Sequence, residues 1–140
     1  MIDPSKIKRS HSSDSISESF FFTVMIAASA MAHSKHLAVT GPSSFAHHIA
    51  LDEFYKGIVE PVDSVIETWQ GASAKLVSYD KDGFSFGFEL APLAYLIELR
   101  KIIDNNRNLF IPSTYVEVHS ELDNVVTQLN STIYKLTFLS

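Results

Sequence analysis

Between Ser44 and Gln70 the apolar residues return every three or four positions, and no other feature of the chain restricts its fold as much. On a helical wheel of about 100° per residue, Leu51, Phe54, Ile58, Val62, Val65 and Trp69 fall within one arc of about 80°. A segment patterned this way is an amphipathic helix that lays one stripe against a core. Pro61 lies inside it, and its ring would crowd the carbonyl four residues back, at Gly57. A kinked but continuous helix is expected.

The rest of the chain is read around that helix. With 140 residues it suits one domain with one core. Residues 1–14 are polar and Ser-rich and read as a tail, leaving 15–140 as the folded domain. Ser15-Ile16-Ser17-Glu18 matches a capping box, with Ser15 as N-cap, for a first helix ending near Val39. Gly41-Pro42-Ser43-Ser44 is a turn, and Gly71 suits the C-cap of the second helix. Pro92 suits N1 of a third helix carrying Leu93, Leu96, Ile97 and Ile103 on one face. Pro112 separates it from a fourth, started by a Thr114–Glu117 capping box and striped by Leu122, Val125, Val126, Leu129 and Ile133. Between the second and third helices, Phe84, Phe86 and Phe88 alternate with small residues after an Asp82-Gly83 turn. That pattern predicts a β-hairpin or an extended loop over 75–88. The expected class is all-α, an antiparallel four-helix bundle made of two helical hairpins joined by a connector.

Phe20–Ala32 is a 13-residue apolar run with Lys6, Lys8 and Arg9 upstream, which imitates a targeting segment. Asp14 and Glu18 stand between the basic cluster and the run, where such segments are poor in acids, and a bilayer needs about 20 apolar residues. A buried helix in a cytoplasmic protein, with no membrane partner, is the expectation. The chain has no Cys, which excludes disulfides, thiolate metal sites and cysteine nucleophiles. The net charge of −5 does not resemble a dedicated nucleic-acid binder and suits a protein that attracts cations. The three basic residues of the tail would give DNA only a modest, salt-sensitive attraction.

The chemistry is carried by the other face of the second helix. His48, Asp52, Asp63 and Glu67 fall at about 0, 40, 60 and 100°, all on one side and away from the apolar stripe. His48 and Asp63 are separated by about 22 Å of helix, so one chain cannot close both halves on one ion. A two-fold axis can: two antiparallel copies crossing near residues 57 and 58 set His48 and Asp52 of one against Asp63 and Glu67 of the other, making two equal sites. His36 and His48 are equidistant from Pro42 and should lie side by side in the hairpin. Two imidazoles and three carboxylates form a mixed N/O set suited to iron, manganese or zinc. The bland alternative is a solvated helix face whose i, i+4 pairs arise by chance.

The stretch from His36 to Glu67 resembles the Dps branch of the ferritin superfamily. That family shows His, a Gly five residues on, then His-x-x-Leu-Asp-x-Phe and Asp-x-x-x-Glu. Here stand His36, Val39, Gly41, His48, Leu51-Asp52-Glu53-Phe54, Asp63 and Glu67, with ligand intervals of 12, 4, 11 and 4 residues. The resemblance implies a ferritin-like bundle with an inter-subunit ferroxidase centre. His36, His48 and Asp52 would come from one subunit and Asp63 and Glu67 from its neighbour, with iron, Fe(II) or Fe(III), as the metal and zinc or manganese as substitutes. It implies oxidation of Fe(II) by peroxide or dioxygen, for iron sequestration or protection against oxidative stress. Leu37 stands where the family usually has Trp, and the short helix the family carries before its third long helix has no counterpart in the 75–88 pattern. The resemblance therefore supports the paired site more directly than a hollow twelve-subunit shell. The rival reading is a non-catalytic dimeric helical module, binding DNA or protein, with a structural metal clip.

Weaker signals surround this set. His33, one turn before His36, is a candidate auxiliary ligand, while His47 projects toward the core and His119 reads as a helix histidine. The ferritin motif Glu-x-x-His is absent from the sequence. Asp80, Asp82, Gly83 and Glu89 fall on calcium-loop positions, but Ser78 occupies the first, so a plain turn is favoured.

Overall fold

The computed structural model describes residues 15–139, and the polar tail with Lys6, Lys8 and Arg9 lies outside the described residues. The described chain is all-helical: α1 (Glu18–Ile26), α2 (Ala28–Ala38), α3 (Ser44–Gly57), α4 (Val59–Ser73), α5 (Lys81–Ser85), α6 (Pro92–Phe110) and α7 (Val116–Phe138). Two of the boundaries are local. Ala27 and Ile58 keep right-handed helical dihedrals, and the ladder continues across them through Met31 N–H to Ala27 O at 3.0 Å and Val62 N–H to Ile58 O at 3.2 Å. Thus α1–α2 and α3–α4 are two long rods, and the second bends just ahead of Pro61, as its missing N–H and ring require. With α6 and α7 they make four rods.

Each rod packs on two neighbours: α1–α2 on α3–α4 and on α6, and α7 on α3–α4 and on α6. All four contacts are antiparallel. Phe22 meets Trp69 while His36 meets His48. Phe21 meets Phe110 while Lys35 lies over Tyr95. Arg100 bonds Asn130 while Arg107 bonds His119, and Glu53 pairs with Lys135 while Gly57 lies beside Gln128. The second and third rods therefore run the same way, and residues 74–91 must climb the full length of the molecule to join them. They do so along the first rod, from Ser78 against Ser19 to Leu90 against Lys35.

This crossover explains the run that imitates a targeting segment. Successive helical residues point about 100° apart. Phe20, Phe21 and Phe22, all buried, consequently meet three different elements: Phe86 of the crossover, Phe110 of α6 and Trp69 of α4. A helix enclosed on three sides is apolar nearly all round. No helix among the described residues is long and apolar enough to cross a membrane.

Of the β-hairpin or extended loop expected over 75–88, the hairpin does not form and the loop is met only in part. Residues 75–80 are irregular and α5 follows, capped by the Asp80 carboxylate, which accepts from Asp82 N–H at 2.9 Å. Docking on the first rod overrides the alternating pattern. Asp80 N–H donates to Thr23 Oγ1 at 2.9 Å, and Gly83 sits so close that a Cβ there would lie 2.6 Å from Thr23 Cβ. Phe86 packs inward, while Phe84 and Phe88 are exposed. Three caps also move. Ser17, not Ser15, caps α1, its Oγ accepting from Phe20 N–H at 2.9 Å, which frees Ile16 to enter the core. The helix runs past Gly71 to Ser73 and ends on left-handed Ala74. Tyr115 occupies the N-cap of α7 without a side-chain cap bond, so the Thr114–Glu117 box is not made. The stripe from Leu51 to Trp69 is buried throughout, as are Leu96, Ile103, Leu122, Val125 and Leu129.

The top of the crossover is fastened by Lys35. Only 8% exposed, its ammonium donates to the carbonyls of Gly87 (2.9 Å), Phe88 (3.3 Å) and Leu90, and lies 5.3 Å from the Tyr95 ring centroid. Burial draws its pKa down, against the opposing pull of Glu89. Gly87 has φ +80°, and a Cβ there would run into the Tyr95 ring. Gly87→Ala is expected to cost about 1–3 kcal/mol through overpacking and left-handed strain. Lys35→Met should cost about 2 kcal/mol by stranding buried carbonyls. Urea unfolding midpoints check both, and wild-type midpoints would disprove the tie.

Candidate metal centre

The turn Gly41–Ser44 brings the first and second rods back to back. Gly41 and Ser43 both adopt positive φ, at +85° and +65°, which reverses the chain in a few residues. Helix geometry then fixes the register, and His36 and His48 meet as expected. Their rings stack at 3.7 Å between centroids with planes 21° apart.

The hydrogen bonds around this pair are reciprocal. His36 Nδ1 lies 2.8 Å from His48 O, and His48 Nδ1 lies 3.0 Å from His36 O. A carbonyl can only accept, so both Nδ1 atoms carry the proton. In the neutral rings each Nε2 then holds a lone pair. A ring whose second nitrogen donates to a backbone carbonyl is the usual arrangement of a metal-ligating histidine, because it fixes tautomer and orientation together. His36 is buried, 6% exposed, and His48 half-buried.

Asp52 completes this half of the constellation. Its Oδ1 is 3.9 Å from His36 Nε2. The Lys56 ammonium one turn on is 3.0 Å from the same oxygen and 3.1 Å from Oδ2. Lys56 holds the Asp52 carboxyl below the usual carboxylate range, with His36 adding a smaller pull, and Asp52 raises Lys56 in return. Asp52 is therefore an anion across the neutral range.

Asp63 and Glu67 project from α4, exposed and without an ion pair to any described residue. They are not brought to His36, His48 and Asp52. Among the described residues of one chain, no group of three or more His, Asp or Glu stands close enough together to hold a metal. By type, the two nitrogens and the carboxylate of His36, His48 and Asp52 suit iron, zinc or manganese, but the three do not by themselves form a metal-holding group.

Other residues emerge that the wheel did not single out. Tyr55 stacks on His33 at 4.1 Å with planes 3° apart, and Ser29 Oγ donates to Tyr55 O at 2.8 Å. His33 thus carries an aromatic partner beside His36, 6.0 Å between ring centroids. Lys56 falls at about 80° on the same wheel, inside the ligand arc, so its place was legible from spacing alone. The remaining candidates resolve as structure. His119 is held by Arg107 at Nδ1 and by Ile111 O at Nε2, Asp80 caps α5, and His47 is half-buried on the inner side.

The lock makes a spectroscopic prediction. Long-range ¹H–¹⁵N spectra above neutral pH should show His36 and His48 as Nδ1–H tautomers with unprotonated Nε2, whereas free histidine favours the opposite. An Nε2–H signature for either ring would overturn the assignment.

No curated protein and no solved structure matches the chain. The profile of a family of unknown function, DUF5856, matches residues 36–136, a span that begins at His36 and takes in His48, Asp52, Asp63 and Glu67 but not His33. Since that span covers well over half of the 140 residues, the chain belongs to this family.

Proposed function

We propose that the chain is a ferritin-like, Dps-type protein that binds Fe(II) between two copies of itself and promotes its oxidation by peroxide or dioxygen. The observation that carries this reading is the reciprocal imidazole–carbonyl lock. It spends both Nδ1 protons on the backbone and leaves both Nε2 lone pairs free, that of His36 lying 3.9 Å from the Asp52 carboxylate.

The topology supports the same reading. Two antiparallel hairpins joined by one crossover along the full molecule is the connectivity of ferritin-like bundles. The crossover also carries the short helix α5, the element whose pattern was missing from the sequence.

The shared site is supported by the outward face of the second rod. Val59, at the expected crossing point, is 47% exposed, and Ile26 of the first rod lies across from it. Both flank Ser29 and Asp63 around a shallow hollow. Apolar contact at the centre of a two-fold, with ligands on either side, is the usual layering of an interface. There His36 and His48 would act as neutral nitrogen ligands. Asp52 and, from a second copy, Asp63 and Glu67 would balance the cation and favour Fe(III). Iron is the substrate and supplies the electron.

Asp63→Ala and Glu67→Ala should each abolish tight Fe(II) uptake in anaerobic titration while circular dichroism stays at wild type, since neither side chain belongs to the core. Subunit mixing is the sharper measurement. A His48→Ala chain and a Glu67→Ala chain each form homodimers with two damaged sites, and a mixed dimer regains one intact site. Heterodimers that form but bind no metal would rule out the shared centre. Peroxide added to the Fe(II)-loaded protein separates the ferroxidase from a structural clip, which would hold iron without accelerating its oxidation.

A further inference from the structure

We propose that Lys56 is a built-in counter-ion of this site: a tethered ammonium that occupies Asp52 while metal is absent, must leave for metal to bind, and so sets the affinity threshold. The inference rests on the metal reading above and concerns its regulation.

The ammonium covers both carboxylate oxygens, including the one that faces His36. Lys56 Nζ touches both oxygens of Asp52, and its shorter contact, 3.0 Å, is to Oδ1, the atom facing His36 Nε2 at 3.9 Å. A cation shared by His36 and Asp52 would need that oxygen. With the ammonium already there, a divalent ion would sit within a few ångströms of a like charge, a repulsion that is large wherever solvent is partly excluded. Both cannot be held at once at full strength.

Lys56 is also built to leave. Its side chain is 64% exposed on a flexible stem, so release costs little burial. Its resting position is defined by a second contact, 5.7 Å above the Tyr55 ring, which His33 stacking and the Ser29 bond keep in place. A destination exists in the same chain. Exposed Glu60 lies four residues on, the spacing at which helical side chains pair, as Asp52 lies four residues back. A lysine between two carboxylates can exchange one for the other as the metal arrives.

Zinc is the probe, since it has no redox chemistry. In calorimetric titrations of the full chain, Lys56→Met should bind Zn²⁺ about three- to tenfold more tightly than wild type, and Lys56→Arg should bind no more tightly than wild type. The second readout is the lysine itself. Acetic anhydride labelling of the wild type, read by peptide mass spectrometry, should rise at Lys56 when Zn²⁺ is added, because the amine gives up its contact with both Asp52 oxygens for the solvent-exposed neighbourhood of Glu60. Other lysines report any general change and should not move. If wild type binds zinc but Lys56→Met binds it no more tightly, or Lys56 labelling is unaffected by metal, the counter-ion role is wrong and the metal reading stands. If neither wild type nor Lys56→Met takes up zinc, both fall together.

Discussion

Three consecutive phenylalanines hold the architecture together. Phe20, Phe21 and Phe22 send buried rings in three directions, onto the crossover, α6 and α4. Each contributes on the order of 2–3 kcal/mol of apolar burial. Their joint effect is geometric as well as energetic, because one turn of one helix sets the position of three other elements. The first rod is thereby the axis around which the chain is wound, and its one open side is the side that meets the outward face of the second rod.

That open side is where the chemistry lies. The turn at Gly41–Ser44 sets His36 against His48, and the core stripe from Leu51 to Trp69 turns the opposite arc of α3–α4 outward. The hairpin is tightly packed: His47 Nε2 and Trp69 Nε1 are buried in it without a partner among the described residues, whereas His36 and His48 both have their Nδ1–H groups satisfied. The histidine lock does this by giving each ring a backbone acceptor from the other's helix. The same bonds that join two rods also aim two nitrogen lone pairs.

Charge balance completes the picture. Asp52 beside His36 would attract cations of any kind, and Lys56 answers that attraction from within the chain. Asp63 and Glu67 have no such internal partner among the described residues. On the proposed reading the constellation divides into a half held by the hairpin beside Lys56 and an open half displayed to solvent. A division of this kind makes sense when the two halves meet only across a symmetry axis.

The periodicity of Ser44–Gln70 was enough to determine a long amphipathic helix, its buried stripe, its bend at Pro61 and the shared face of His48, Asp52, Asp63 and Glu67. All of these follow from about 100° per residue and the missing proline N–H. The equal distances of His36 and His48 from the turn likewise determined that they would meet. What the sequence could not decide was anything resting on contacts between distant segments. Phe84, Phe86 and Phe88 alternate as a strand does, but Thr23, 60 residues away, offered Gly83 a close seat and Asp80 a hydrogen bond, and the segment became a one-turn helix on an irregular lead. Ser15 and Ser17 are both competent caps, and the choice fell to Ser17 because Ile16 gains burial in the core. The tautomers of His36 and His48 were also decided by tertiary structure, through the bonds between their two helices. Helical spacing says which side chains share a face, while only packing says which atoms they are held by.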